Sequence, residues 1–333
     1  MGTLIPVSIV LLVVFIALII SVYYMFRKIP EGIKKPPIAG GSEALSRFNC
    51  LPVYFYDRTA QYFVPVHFPI ANTKSLPDRV QKIVEKLISG PPPASGLQSV
   101  MPDGTKLNSV RIEGDLAFVD LNSAVTSYGG GGAWERGIVQ SLLLSITELP
   151  KIDRVQILID GKEKEYLPEG TPINKPLERG IGPNADQNPP DGKPSGYMYY
   201  LDSSRNYIVP IYWTWDGAAD DPVAKLKSLY SNPPPYPESL ASPAPKDMQV
   251  IKCEVKNGML NLVLYHPDFA NVFNNRSAQK FLEATYLTVY AVKPFSKVDV
   301  RVGTGENPIT LWSYAPFSMY EKLDIPPLCY NGV

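Results

Sequence analysis

The sequence predicts an α+β protein in which an N-terminal transmembrane helix is followed by two tandem β-β-α-β-β-α-β sandwich domains. Three observations predict this architecture. Strand-like and helix-like segments recur twice in the same order, apolar residues of the helix-like segments follow a helical spacing, and residues 1–26 carry no charged side chain. The length of 333 residues allows two or three domains.

The duplication is visible in short segments that match at a nearly constant spacing. The matched segments are VYFYD at 53–57 with MYYLD at 198–202, YFVPV at 62–66 with YIVPI at 207–211, SGPPP at 89–93 with SNPPP at 231–235, and VQILI at 155–159 with VDVRV at 298–302. The proline of the second segment follows the aspartate of the first by eight positions in both copies (65 − 57 and 210 − 202). Such a colinear series indicates an internal repeat, and its period is too long for a solenoid.

Each copy contains the same predicted elements in the same order. The first copy has strands at 53–56 and 63–68, a helix at 76–88, a hairpin at 107–121, a helix at 133–149 and a strand at 155–159. The second copy has matching helices at 222–230 and 277–292, and its hairpin turns at Asn257-Gly258, which both tolerate positive φ. Helices packed on one face of a mainly antiparallel sheet would give each copy its own core.

These elements divide the chain into five predicted parts. They are a transmembrane anchor at 1–26, a juxtamembrane linker at 27–46, a first domain at 47–166, a Pro/Gly-rich linker at 167–195, and a second domain with a C-terminal tail at 196–333. About 20 apolar residues suffice to cross a membrane. Four basic residues follow the span, namely Arg27, Lys28, Lys34 and Lys35. The positive-inside rule by itself would therefore keep the bulk of the chain in the cytoplasm.

The composition and the motifs argue against catalysis and nucleic-acid binding. Lys and Arg total 32, as do Asp and Glu, so the chain lacks the net positive charge that nucleic-acid binding requires. No catalytic, cofactor-binding or metal-ligating motif is present, and His67 and His266 belong to no metal-spaced cluster. We therefore expect a non-enzymatic protein without a cofactor, a metal or a small-molecule substrate.

Two aspartates and three cysteines are the remaining residues with chemical potential. Asp57 and Asp202 occupy the first turn of each copy, where capping of the turn is favoured over an acid–base role. Cys50, Cys253 and Cys329 are dispersed, which favours isolated or buried thiols. An oxidising compartment would permit one pair among them.

The second strand of each copy is the candidate assembly site. It contains a Val-Pro step, and proline within a sheet is typical of an edge strand because it cannot donate a ladder hydrogen bond. An exposed edge is a docking surface for another chain. The predicted assembly edge consists of Val64, Pro65, Val66, Val209, Pro210 and Ile211.

An alternative function is the binding of cell-wall glycan outside the cytoplasm. The stacking surfaces would come from Tyr54, Tyr56, Tyr199, Tyr200, Trp213 and Trp215. The alternation of these aromatic residues equally fits a buried core, which is the favoured interpretation.

The first copy resembles the GerMN domain family of bacterial sporulation and spore-germination proteins, and the second copy is a more divergent version. The resemblance lies in residues 53–57, 63–66, 97–107, 110–112, 117–121 and 155–161. It implies a membrane-anchored, extracytoplasmic assembly subunit of an envelope complex between mother cell and forespore, with ring-building-motif-like domains and no catalytic residues. It also implies self-association and contacts with other sporulation envelope proteins. Family members are often lipoproteins, yet Phe48-Asn49 before Cys50 is not a lipobox.

Overall fold

The duplicated order of strands and helices is present in the fold. The computed structural model describes residues 50–69, 75–180, 182–185, 192–231, 240–268, 275–293, 295, 297–303, 308–310 and 330–332. The first repeat contains β1 (Cys50–Tyr56), β2 (Phe63–Pro69), α1 (Leu76–Ser89), β3 (Leu107–Glu113), β4 (Leu116–Leu121), α2 (Gly131–Thr147), β5 (Arg154–Ile159) and β6 (Leu177–Glu178). The second repeat contains β7 (Ser195–Leu201), β8 (Ile208–Thr214), α3 (Pro222–Ser231), β9 (Gln249–Lys256), β10 (Met259–Tyr265), α4 (Asn275–Tyr290), β11 (Lys297–Gly303) and β12 (Pro308–Thr310). A short extra strand thus follows the predicted elements of each repeat.

Each repeat contains a two-stranded ribbon and a four-stranded mixed sheet, which corrects the expectation of a single sheet; most strand pairs are antiparallel, as expected. The ribbons β1–β2 and β7–β8 are antiparallel. The larger sheets have the strand orders β3-β4-β5-β6 and β12-β11-β10-β9. The pairs β4–β5 and β10–β11 are parallel, since α2 and α4 return the chain to the starting side of the sheet before the next strand begins.

Local sequence determines where α1 begins and ends. The Ser75 side chain accepts a hydrogen bond from the Asp78 N–H at 3.2 Å, and the Asp78 carboxylate accepts one from the Ser75 N–H at 3.1 Å. This capping box satisfies donors that the first helical turn leaves unpaired. Gly90 ends the helix with a φ of 80°, which glycine adopts without a Cβ penalty. The buried face of α1 includes Val80, Ile83, Val84 and Leu87, as its spacing predicts.

Each repeat has its own hydrophobic core, and the two cores meet at the ribbons. The first core includes residues of α1, α2, β4 and β5, with partly buried residues of β3 packed against it, and the second includes residues of α3, α4 and the sheet from β9 to β11. Tyr62 and Val64, from the first repeat, belong to the second core. Leu97 and Tyr207 pack against both cores, so the repeats are in direct apolar contact.

Part of the stretch at 167–195, predicted as a linker, packs on the first repeat. Leu167 and Ile173 belong to the first core, and Ile173 has 0% exposed surface. β6 pairs with β5 in the antiparallel direction. The linker prediction is corrected for this part of the stretch. Proline and glycine dominate its composition, and its few apolar residues are too widely spaced to show a period.

The predicted membrane segment lies outside the described residues. The anchor at 1–26 and the juxtamembrane linker at 27–46 both precede the first described residue, Cys50. Among the helices that the structure describes, none combines the length and the apolar character needed to span a bilayer.

Candidate functional site

All six residues of the predicted assembly edge are buried within the chain. The exposed fraction is 0% for Val64, Val66 and Val209 and 1% for Ile211, and Pro65 and Pro210 are also buried. β2 packs against β8, so the two predicted edges cover each other. The expectation of a solvent-exposed docking edge is therefore corrected, because the second repeat occupies the face that the first would otherwise offer. We call this contact between β2 and β8 the seam.

Asn184 binds the backbone on both sides of the seam. Its side-chain oxygen accepts a hydrogen bond from Phe63 N at 2.7 Å. Its Nδ2 donates to Phe63 O at 2.9 Å and to Pro210 O at 2.8 Å. One side chain thus satisfies both backbone groups of a residue in β2 and a carbonyl in β8.

Asn331 makes the same set of bonds from the other repeat. Its side-chain oxygen accepts a hydrogen bond from Ile208 N at 2.7 Å. Its Nδ2 donates to Ile208 O at 2.7 Å and to Pro65 O at 2.9 Å. The Asn331 residue is 4% exposed, so these bonds are made away from water.

The two asparagine sites are equivalent, with the roles of the first and second repeats interchanged. Phe63 corresponds to Ile208 and Pro65 to Pro210, each at an offset of 145 positions (208 − 63 and 210 − 65). Both asparagines have positive φ, at 55° and 57°. Asparagine tolerates this conformation better than most residues. The seam is therefore a pseudo-symmetric contact, in which each repeat ends on an asparagine that reaches the strand of the other.

The last described residues fasten the C-terminal end to the first repeat. The Asn331 carbonyl accepts a hydrogen bond from His67 N at 3.3 Å, and Gly332 forms a parallel bridge with His67. The Tyr330 ring lies 4.8 Å from the His67 ring and 5.8 Å from the Tyr199 ring. Residues 330–332 therefore contact strands of both repeats.

An ion pair supports β1, the strand paired with β2. Glu148 accepts a hydrogen bond from the Tyr54 hydroxyl at 2.7 Å and pairs with Arg179, whose side chain is 16% exposed. Burial raises the pKa of Glu148, but the charge and hydrogen bond of Arg179 outweigh it and keep that pKa below its usual value. Burial and the nearby Glu148 charge raise the pKa of Tyr54, so its hydroxyl remains a donor. Arg179 thereby ties the stretch after β6 to the first repeat.

The two repeated aspartates cap their turns, as the sequence predicts. Asp57 accepts a hydrogen bond from Tyr62 N at 3.0 Å, and Asp202 accepts one from Tyr207 N at 2.7 Å. Their carboxylates are thus occupied by backbone donors. Within the described part of the chain, no group of three or more His, Cys, Asp and Glu residues is arranged to hold a metal ion.

The aromatic residues considered for glycan stacking are in the interior. The exposed fraction is 3% for Tyr54, 0% for Tyr200 and 4% for Trp215, so these three are in the core. Tyr56, Tyr199 and Trp213 are partly buried, and the rings of Tyr56 and Tyr199 already pack on Phe63 and Tyr330. Most of the proposed stacking residues are therefore occupied by packing within the chain.

Of the two described cysteines, Cys253 fits the expectation of an isolated or buried thiol and Cys50 does not. Cys50 is disulfide-bonded, and Cys253 is a free, buried thiol. Burial raises the pKa of Cys253 to about 12, so this thiol stays protonated at neutral pH. The sulfur of Cys50 is already bonded, which agrees with the absence of a lipobox before it. Cys329 lies outside the described residues.

His67 gives the seam a predicted pH dependence. Burial lowers the pKa of His67 to about 4, from 6.5, and its Nδ1 is buried without a hydrogen-bond partner. The unfolded chain therefore binds a proton at this residue at a higher pH than the folded chain does. The free energy of unfolding therefore keeps its full value above about pH 6.5. It falls by up to about 3 kcal/mol as the pH falls towards 4. Chemical unfolding between pH 4 and pH 7 measures this loss.

The matched control for this pH dependence is His67→Phe, which keeps an aromatic ring against Tyr330 and removes the titrating group. Its free energy of unfolding should fall less between pH 7 and pH 4 than that of the parent. An equal fall in both proteins would assign the pH dependence to other groups.

Asn184 and Asn331 are the site residues that the sequence reasoning missed. They follow the last matched strands of their repeats, in segments that show no strand or helix pattern. The two are 147 positions apart (331 − 184), close to the offset of the matched segments. An alignment of the two copies extended beyond the closing strands would have paired them.

Comparison with known proteins relates the chain to sporulation proteins. Residues 52–165 match the family model described as Germane, sporulation and spore germination. The chain is 23% identical over 263 residues to the spore germination protein GerM of Bacillus subtilis (strain 168), covering 75% of this chain and 70% of that protein. The solved tandem GerMN domains of the sporulation protein GerM from Bacillus subtilis superpose with a TM-score of 0.55 at 24% identity. They cover 78% of this chain and 96% of that chain, and this likeness supports the tandem fold.

Proposed function

We propose, from the premise that this chain is a GerM-like protein whose first repeat is a Germane domain, that it serves sporulation as a non-enzymatic assembly subunit. In this proposal the N-terminal segment anchors it in the cell membrane. The two repeats lie outside the cytoplasm and join an envelope complex between mother cell and forespore.

The observation that carries this proposal is the buried contact between the two repeats at the seam. Two asparagine side chains and an apolar contact hold the repeats against each other. A pair of domains held in one geometry presents its outer surfaces to partners without an ordering cost on binding. This arrangement suits a structural subunit better than a protein whose domains close on a substrate.

The disulfide at Cys50 supports the extracytoplasmic orientation. Disulfides persist in oxidising compartments outside the cytoplasm, and the cytosol keeps thiols reduced. The basic residues after the predicted span favour the opposite orientation. We give the disulfide more weight, because a cytoplasmic location would leave Cys50 reduced.

Deletion of the gene in its spore-forming host tests the proposal. We expect fewer heat-resistant or germination-competent spores, restored by the parent gene and by Asn206→Ala, a change at an exposed residue between β7 and β8. A C-terminal reporter that is active only outside the cytoplasm tests the orientation. Normal spore yield and germination after deletion would contradict the proposed role.

A further inference from the structure

Among the described strands, each of the two large sheets ends on a long strand that has one neighbour. β3 is seven residues long and pairs with β4, and β9 is eight residues long and pairs with β10. The opposite ends of the sheets, β6 and β12, have two and three residues. The seam covers β2 and β8, and β1 and β7 donate outward hydrogen bonds to helix side chains, from Tyr54 N to Ser145 and from Tyr199 N to Thr288. The long edges of the two large sheets, β3 and β9, are therefore the candidates for an added strand among the described residues.

From these edges we propose that β3 of one copy pairs in the antiparallel direction with β9 of a second copy of this chain. The inference rests on the proposed assembly function and names the surface that performs it. It replaces the edge that the sequence predicts, which the seam has occupied.

Charge order along the two strands argues for this partner. Arg111 and Glu113 form an ion pair on β3, and their side chains are 54% and 59% exposed. Lys252 and Glu254 form the corresponding pair on β9, with side chains 57% and 46% exposed. In both strands the basic residue precedes the acidic residue by two positions. Antiparallel pairing therefore aligns opposite charges across the new contact.

One register places opposite charges opposite each other on the solvent face and apolar residues opposite each other on the core face. With Arg111 opposite Glu254, Glu113 lies opposite Lys252 on the solvent face, and Val110 lies opposite Val255 on the core face. In their own sheets Val110 is paired with Val119, and Val255 with Leu260, both of which have 0% exposed surface. A shift of one residue would place charges on the core face, so the alternation of the strands specifies this register. Opposite charges across strands stabilise the pair, and like charges destabilise it.

The space beside β3 accommodates the partner's hairpin. An open cavity of about 600 Å³ lies between α1 and the start of β3, lined by Gln81, Glu85, Ile88, Ser89 and residues 105–110. In the proposed register the partner's Asn257-Gly258 turn lies opposite residues 107–108, at the mouth of this cavity. The compact two-residue turn, with φ of 53° and 72°, presents little bulk there.

Pairing of β3 with β9 makes every copy bind two others. The two strands are counterparts in the two repeats, so each copy carries one edge of each kind. A contact between unlike surfaces forms a ring when the rotation closes and an open filament when it does not. A contact between two β3 strands would instead stop at a dimer.

Reversal of the charge order tests the pairing in the full chain, reconstituted in lipid vesicles or detergent. One variant combines Arg111→Glu with Glu113→Arg, a second combines Lys252→Glu with Glu254→Lys, and a third carries all four changes. Each variant keeps the ion pair within the strand and the net charge. Arg111→Glu also removes the contact of the guanidinium with the Phe118 ring, so melting temperatures are measured and association is compared among variants that remain folded at the assay temperature. We expect either reversal to weaken self-association about tenfold, measured by sedimentation, since two cross-strand pairs become repulsive. The variant with all four changes should associate as strongly as the parent, because opposite charges again face each other.

Cross-linking tests the register directly. Chains with Ser109→Cys, mixed with chains carrying Lys256→Cys, should form disulfide-linked dimers, because these positions face each other in the proposed register. Neither chain alone should form them.

Three results would overturn the inference. The first is that the β3 reversal associates as strongly as the parent, as β3–β3 pairing predicts. The second is that the variant with all four changes does not recover the parent's association. The third is that the parent is monomeric at every concentration. If gene deletion still impairs spore formation, these outcomes reject the edge pairing and leave the proposed function standing.

Discussion

Asn331→Ala is expected to lower the free energy of unfolding by about 2–4 kcal/mol, because it strips hydrogen bonds from buried backbone groups. The change leaves Ile208 N, Ile208 O and Pro65 O without the partners that Asn331 supplies at 2.7, 2.7 and 2.9 Å. The variant should also separate the repeats, with two unfolding transitions in place of one. Chemical unfolding monitored by circular dichroism and tryptophan fluorescence measures both effects.

Two variants serve as controls for this result. Asn184→Ala removes the equivalent bonds in a more exposed setting, so its loss should be smaller. Asn206→Ala, at an exposed turn position, should change stability by less than about 0.5 kcal/mol. If Asn331→Ala and Asn206→Ala are equally stable, the bonds across the seam do not hold the repeats together.

Cys50→Ser is expected to cost about 2–5 kcal/mol, the usual cost of removing a native disulfide. The change removes the sulfur through which Cys50 is bonded, and Cys253 keeps its free thiol. In the loop-entropy model the loss of stability grows with the length of chain that the bond closes. Non-reducing peptide mapping identifies the linked peptides, and thermal unfolding with and without reductant measures the stabilisation.

Cys253→Ser controls for the loss of a thiol as such, since this buried residue is not in a disulfide. Reductant should lower the melting temperature of the parent and of Cys253→Ser, and it should leave that of Cys50→Ser unchanged. A parent that is insensitive to reductant would show that the disulfide does not contribute to stability.

The sequence predicts most local elements correctly because their causes are local. The Ser75 capping box begins α1, and positive φ at Asn257 and Gly258 makes the β9–β10 turn. The sequence predicts a mainly antiparallel sheet, but it predicts neither the parallel pairs β4–β5 and β10–β11 nor the separate ribbons. Whether a strand joins its neighbour in the antiparallel or the parallel direction depends on the path of α2 and α4, which apolar spacing does not record.

The candidate site was predicted at the right strands and in the wrong environment. The Val-Pro steps at Pro65 and Pro210 identify strands that have a ladder partner on one side only, and both strands do lie where another repeat docks. Sequence alone does not tell whether the docking repeat belongs to the same chain or to another. Asn184 and Asn331 were missed because a single side chain that bonds two strands leaves no periodic pattern in the sequence.

The position of Gly332 determines where an attached label would lie and how an applied force would act on the fold. Gly332 bridges His67 on β2, and His67 is paired with Pro52 of β1 on its other side. Pro52 and Gly332 therefore lie on the two sides of β2 at His67, separated by the width of one strand. A label attached at Gly332 would lie close to the start of β1, and a force applied between Pro52 and Gly332 would act mainly across β2.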